Sequence, residues 1–485
     1  MMQTRSPFRI LFAIIAPALL LAACRSIPAT HSQPRTEELT SPVLDGDIAE
    51  WGDAALLADE QYLYFRWSVG AADFPPQAAP YTTAILLDLD DDPATGLPRS
   101  ANGETLGIDL EILLSPPARD GTRRGVRLEA ISATGERTRL SHAQADFSFS
   151  PTYAANWYEA RLSRTLPTGP VDAPRFAGLY AMLGPAGEII GLSDAFRGVL
   201  PSRRDARSSD ALPPKPADGV RIVSYNILRD GPIERPDPFR RILRALDPDL
   251  VLLQEWDRAD TIEAWFNANL PEAGPWHVRS GQGGVAIACR YPLQSSGPDA
   301  VVIAAENDDG RSFRPVRVIT ALADTPIGGV LLASVHLKCC GTAGSVEDRT
   351  RFSEARAVNA AVLRAIDDDR VAHVVIGGDF NLVGTRPPLD LARAALDADG
   401  SDLAVAPARV LGDRAYYTWA DAANDFSPGR LDFIVYSDAS ALVSASFILD
   451  TARLGPASLA AAGLLPGDSA AASDHLPVVV DLRPR

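Results

Sequence analysis

Short runs of aromatic and branched apolar residues, separated by Gly and Pro clusters, dominate residues 41–198. They lie at 62–67, 82–89, 107–114, 126–133 and 156–162, with almost no helical spacing among them. Such runs predict strands, and a series of them predicts an all-β sandwich. From residue 220 the pattern changes. Strand-like runs at 220–225, 250–254, 285–289, 316–322, 330–336, 373–376, 431–436 and 476–481 alternate with helical stretches. The clearest helices are 239–246 and 349–365, the second apolar at Phe352, Val358, Val362 and Leu363. This alternation predicts an α/β layered domain over 219–485. Between the two regions, residues 199–218 are polar, Pro-rich and without periodicity, which predicts an extended, exposed linker.

The first 40 residues read differently. Arg5 and Arg9 precede an apolar run over 10–21, which ends in Leu21-Ala22-Ala23-Cys24. A basic start, a short apolar core and small residues are the layout of a signal peptide, and the core is too short to span a bilayer comfortably. The Leu-Ala-Ala-Cys ending resembles the bacterial lipobox, which implies 1–24 as a lipoprotein signal, lipidation at Cys24 and 25–40 as a tether. The expected location is then the bacterial cell envelope, on a lipid anchor with no spanning helix.

Composition narrows the function. A chain of 485 residues suggests more than one domain, and its formal charge of −16 argues against broad affinity for nucleic acid. Lysine occurs only at 215 and 338. Beyond Cys24 the cysteines are Cys289, Cys339 and Cys340. A bridge from Cys289 to the pair, or one within the pair, is open, and no fourth ligand falls at a zinc-site spacing.

Polar residues recur where the strands of 219–485 end. Asn226 follows Ser-Tyr, Glu255 follows Gln254, and His336 closes an apolar run. Asp379-Phe380-Asn381 follow Gly-Gly, Asp432 lies in Arg-Leu-Asp-Phe-Ile, and Asp474-His475 precede Leu-Pro-Val-Val-Val. Singly, each has an ordinary explanation as a turn former or a structural pair. Together and in this order they resemble the endonuclease/exonuclease/phosphatase superfamily, which includes DNase I-like nucleases, abasic-site endonucleases, sphingomyelinases and inositol-polyphosphate phosphatases.

That resemblance covers about the whole of 219–485 and implies a four-layer α/β/β/α sandwich with its site at one edge of two packed sheets. It implies Glu255 as principal Mg2+ (or Mn2+) ligand, with Asn226 beside it and Asp474 binding the metal directly or through water. Asp379 would orient or deprotonate the attacking water, and Asn381 would bind charge developing on the phosphoryl group. His475, oriented by Asp432, would contact the same group, and His336 would lie against the scissile phosphate. Arg290, Arg311, Arg314 and Lys338 lie near strand ends; Lys338 and Arg290 are the candidates for substrate phosphate.

Residues 41–198 carry Leu44-Asp-Gly-Asp-Ile-Ala-Glu-Trp51, then the aromatic run, then Leu87-Asp-Leu-Asp-Asp-Asp-Pro-Ala-Thr-Gly96. This order resembles β-sandwich modules related to family 9 carbohydrate-binding domains, and implies a glycan as partner. Asp88, Asp90 and Asp92 alternate, so they are either oxygen ligands for Ca2+ or a solvated acidic turn. The spacing is not that of an EF-hand, because Pro93 stands where its glycine belongs. The expected function is an exported Mg2+-dependent phosphoesterase acting on a phosphodiester or phosphomonoester. Its rivals are an extracellular nuclease acting on DNA or RNA and a non-catalytic surface-binding lipoprotein.

Overall fold

The computed structural model describes residues 41–485 apart from 53, 69–75, 77–78, 119–121, 204–209, 299 and 305–312. The expected signal peptide (1–24) with its lipidation site Cys24, the expected tether (25–40) and Arg311 therefore lie outside the described residues. Among the described residues no helix is long and apolar enough to cross a membrane.

The C-terminal region is built on two sheets. In the seven-stranded sheet the order is His277–Ser280, Ala286–Cys289, Leu250–Gln254, Val220–Asn226, Val478–Pro484, Ala441–Ile448 and Arg409–Val410. The six-stranded sheet runs Leu293–Ser295, Arg317–Thr325, Gly328–His336, Val371–Asp379, Asp432–Tyr436 and Ala404–Val405. The central strands are apolar throughout because both of their faces are covered. Ile222, Leu250 and Leu252 meet Ile319, Val330, Leu332, Val375 and Ile434 in a core between the sheets. The alternate residues Val223, Tyr225, Val251 and Leu253 pack on Phe239, Ile242 and Leu243 of the helix Pro236–Leu246. On the other sheet, Leu331, Val335 and Ile376 pack on Ala355, Val358 and Val362 of the helix Val346–Ile366. That helix buries positions three and four apart, and Ser345 caps it by accepting from the Asp348 amide at 3.2 Å.

The N-terminal region is all β. A four-stranded sheet (Leu56–Ala58, Tyr62–Ser68, Trp157–Ser163, Ser148–Ser150) faces a larger sheet centred on Thr82–Asp88, Leu110–Leu114 and Arg175–Leu183. Leu63, Phe65 and Trp67 of the first meet Ile85, Leu87, Ile112 and Phe176 of the second.

The two regions are packed together. Leu44, Trp51, Leu57 and Tyr64 join the core between the C-terminal sheets, beside Ala406, Val410, Ala415 and Tyr417. A partly buried ion network crosses the same boundary: Arg161 grips Asp413 and approaches Asp146 at 3.4 Å, while Arg453 bonds Asp146 at 2.6 Å and approaches Asp413 at 3.2 Å. The linker is not wholly free either, since Lys215 pairs with Asp247 and Asp249, each at 3.0 Å. Cys289, Cys339 and Cys340 are all free thiols; the adjacent pair has its sulfurs 3.0 Å apart, and Cys289 is buried elsewhere.

Candidate active site

Strand register assembles half of the site. His336 ends its strand as the partner of Asp379, and Asp379 is in turn the partner of Asp432 on the next strand. Three polar side chains are thus set in a row across the end of one sheet. In the other sheet Asn226 is the partner of Gln254, and both chains leave their strands at the same edge. Glu255 follows in the left-handed region (φ 66°), as does Asn381 (φ 49°) after Asp379. Backbone strain of this kind collects where a side chain must be aimed.

These groups converge on one oxygen, Oδ2 of Asp379. Asn381 Nδ2 donates to it at 2.9 Å and Asn226 Nδ2 at 3.2 Å, while His336 Nε2 and His475 Nε2 lie 3.5 and 3.8 Å away. Asp379 Oδ1 accepts from the Asn381 amide at 2.9 Å. Glu255 borders the group: its Oε1 accepts from Asn226 Nδ2 at 3.2 Å and lies 3.9 Å from His336 Nε2, and its Oε2 accepts from the Arg229 amide at 3.2 Å.

The two histidines are held in opposite states. His475 Nδ1 bonds Asp432 Oδ2 at 2.8 Å. Burial opposes its charge, but Asp432 and then Asp379 outweigh it and push the imidazole up to about 10. His336 is held well below the ordinary range, first by burial and then by the positive charges of Arg317 and His475. Burial raises Asp379 to about 7, against the lowering effect of His475. Of the groups in this cluster His475 is the one most strongly favoured to carry a proton, with Asp432 at hydrogen-bond distance.

Ligand geometry separates proton holders from a metal site. Atoms of Asp379, Asp432 and His475 lie within 4.8 Å of one another, close enough to surround a cation. His475 Nδ1 and Asp432 Oδ2 are already engaged with each other, however, so this trio suits a hydrogen-bond network. A hard divalent cation fits better at Glu255, whose side chain is 26% exposed, and at Asp474, whose buried Oδ1 has no hydrogen-bond partner among the described residues. Asn226 lies beside Glu255.

Several neighbours were not legible as site residues. Arg317 donates to His336 Nδ1, Trp419 Nε1 donates to Asp474 Oδ2 at 2.9 Å, and Thr418 Oγ1 accepts from the Asp432 amide at 2.9 Å. Ser473 Oγ ties the Asp474-His475 turn to the Asn226 carbonyl at 2.8 Å. Counting back from the turn 325–328 pairs Arg317 with His336, which was the available signal for Arg317.

One expectation is corrected by placement. Arg290 follows Cys289, which is the partner of Leu250 at the start of the strand that ends in Gln254. It therefore lies at the opposite end of the sheet, bonded to Asp247 at 2.5 Å and stacked over Trp276. In the N-terminal region Asp109 joins the carboxylates of Asp88 and Asp90, and Asp92 lies beside them, its amide donating to both Asp88 and Asp90 at 3.1 Å and its carboxylate accepting from the Ala94 amide at 2.9 Å. Lys338 stays close to the site, two residues beyond His336, with its amide donating to Glu354 at 2.6 Å. Glu354 also pairs with Arg314 at 3.1 Å.

Residues 223–475 match the family described as Endonuclease/Exonuclease/phosphatase family. Among solved structures, the human Nocturnin catalytic domain is similar at 18% identity and a TM-score of 0.35, over 56% of this chain and 96% of that one. Sphingomyelinase C from Streptomyces griseocarneus is similar at 17% and 0.36, over 54% and 99%. An AP endonuclease from Archaeoglobus fulgidus is similar at 15% and 0.33, over 54% and 98%. No curated protein gives a significant match.

Proposed function

This chain belongs to the endonuclease/exonuclease/phosphatase family, and from that premise we propose that it is an exported, Mg2+-dependent phosphoesterase that cleaves a phosphodiester or phosphomonoester by in-line attack of water. The observation that carries the reading is the convergence of Asn226, Asn381, His336 and His475 on Asp379 Oδ2. The three cores support the α/β/β/α layering expected of such an enzyme.

Glu255, Asn226 and Asp474 would hold the metal, which supplies Lewis-acid polarisation of a phosphoryl oxygen. Asp379, fixed by two asparagines and a backbone amide, orients the water and takes its proton. His475, kept charged by Asp432, donates to the phosphoryl oxygens as negative charge grows there. His336, neutral with Nδ1 occupied by Arg317, presents Nε2–H to the same space. Asn381 adds a neutral donor. Each group is held before substrate arrives, so catalysis rests on positioning and electrostatics.

The remaining expectations belong to the same proposal. Cys24 anchors the chain to the envelope, and Lys338 contacts substrate phosphate. The all-carboxylate cluster of Asp88, Asp90 and Asp109 suits Ca2+. A cavity of about 240 Å³ lined by Arg99, Glu111, Arg127, Glu129 and Arg137 suits a polar ligand such as a glycan.

The full chain is expected to hydrolyse bis-p-nitrophenyl phosphate with Mg2+ or Mn2+, to lose activity with a chelator, and to lose it in His475→Ala. A folded sample with no metal-dependent turnover would reject the proposal. Plasmid DNA, RNA, sphingomyelin, phosphoinositides and small phosphodiesters, tested side by side, identify the substrate class. Labelled palmitate incorporated equally by wild type and Cys24→Ser would reject the anchor.

A further inference from the structure

Two loops enter the active site from outside the sheets. One is 382–384, directly after Asn381. The other is 418–431, directly before Asp432. The second loop closes on itself through Trp419 and Gly429, whose amides and carbonyls pair at 2.9 and 3.0 Å. On one side it reaches the Asp474-His475 turn: Trp419 Nε1 donates to Asp474 Oδ2, and the Ala420 amide donates to the Asp474 carbonyl at 2.8 Å.

Its other side is held by the N-terminal β region. The Thr152 hydroxyl donates to the Leu382 carbonyl at 2.8 Å and lies 3.1 Å from the Arg430 carbonyl, so one side chain bridges both loops. The Ala154 amide donates to the Gly384 carbonyl at 2.8 Å. His142 Nε2 faces the carbonyls of Asp421 and Asn424 at 3.2 and 3.1 Å; two acceptors at that atom require the proton to be there. The Val126 amide donates to the Asp425 carbonyl at 2.8 Å. Contact is close enough to restrict side chains on both sides. A Cβ at Gly429 would collide with Thr152, and one at Gly125 would collide with the Asp425 backbone.

We infer that the N-terminal β region is a working part of the hydrolase, in which Thr152 and His142 are positioning residues that set Asn381, Asp432 and Asp474 through these two loops. The inference rests on the phosphoesterase reading above. A surface loop without partners samples many conformations, whereas this one is bonded on both flanks along its length. Small displacements of a catalytic group are costly in rate, so the effect should fall on kcat.

The test uses the full chain and four variants, Thr152→Val, Thr152→Ser, His142→Leu and His142→Gln, with two readouts. Hydrogen exchange of the Val383 and Gly429 amides reports the loops without any substrate. Turnover of bis-p-nitrophenyl phosphate with Mg2+ reports the site. Thr152→Val and His142→Leu are expected to speed exchange at these amides and to lower kcat by about tenfold with KM little changed. The serine and glutamine variants, which keep a donor, are expected to restore both. Unchanged exchange and kcat in Thr152→Val and His142→Leu would overturn the inference. So would losses that follow a fall in melting temperature and are not rescued by the donor-keeping variants. If the wild type shows no turnover, the functional reading fails and the exchange measurements alone decide this inference.

Discussion

Arg317 Nη1 donates a hydrogen bond of 2.9 Å to Nδ1 of His336, its partner across the antiparallel pair. A guanidinium can only donate, so Nδ1 must accept and the neutral ring carries its proton on Nε2. That nitrogen is the one facing Asp379 and Glu255. Arg317 is itself anchored, with Nη2 donating to the Leu337 carbonyl at 2.6 Å.

Replacing Arg317 with Met should release this tautomer while leaving the sheet intact. Nitrogen NMR of labelled histidine is expected to show His336 as the Nε2–H form in the wild type and as a mixture in the variant. Turnover should fall by about 10–100-fold, the range seen when a partner that orients a site histidine is lost. A single unchanged tautomer in the variant would show that Arg317 does not set it.

Asp432→Asn changes His475 without removing it. The carboxylate that accepts from Nδ1 becomes an amide that can present a donor there, so the ring loses both its orienting bond and the charge that keeps it protonated. We expect kcat to fall by about 10²–10⁴-fold, as for the loss of a proton-handling group. KM should change little, and the melting temperature should be measured alongside. Wild-type kcat in Asp432→Asn would remove Asp432 from the mechanism.

Much of this site could be read from the chain because its residues sit next to apolar strands, where an unexpected Asn, Asp or His is conspicuous. Glu255, Asp379 and His475 are of that kind. What the runs could not tell was which end of a strand faces the site. Arg290 and Glu255 both follow strands, but those strands are antiparallel neighbours, so the two residues lie at opposite ends of the sheet. Asp109 was missed for a related reason, since it joins Asp88 only through the folding of a separate strand. Trp419 and Thr152 act from loops, where no periodicity marks the inward-facing residue. The docking of the β region was also hidden, because the residues of its ion network are apolar neither in type nor in spacing and Arg161 and Asp413 lie 252 positions apart.

That network gives a stability prediction. Arg161 is almost fully buried and serves Asp413 and Asp146 together. Arg161→Met would leave the buried Asp413 and the half-buried Asp146 with only Arg453 and should destabilise the chain by about 3 kcal/mol in denaturant unfolding. Pairing it with Asp413→Leu should recover part of the loss, because an apolar pair leaves fewer buried charges unmatched. A double variant less stable by the sum of the two single effects would show that the residues are not coupled.

Glu159 predicts how this packing responds to pH. It is fully buried, and its two oxygens accept from the Gly46 amide at 2.6 Å and the Trp51 indole at 2.9 Å. Burial pushes its carboxyl up to about 8, the two donors oppose this, and Asp45 and Glu50 add to it. The folded chain therefore keeps a proton that the unfolded chain releases above its ordinary value of 4.5. Stability from this group is fully present below pH 4.5 and is lost as pH rises toward 8, with a slope of at most about 1.4 kcal/mol per pH unit. Glu159→Gln cannot titrate and also weakens one of the two bonds, so it should be the less stable form under acid conditions. Its disadvantage should then shrink steadily as pH rises toward 8. Denaturant midpoints of both proteins across that range measure the difference, and a constant gap would show that Glu159 is already ionised in the folded chain at acid pH.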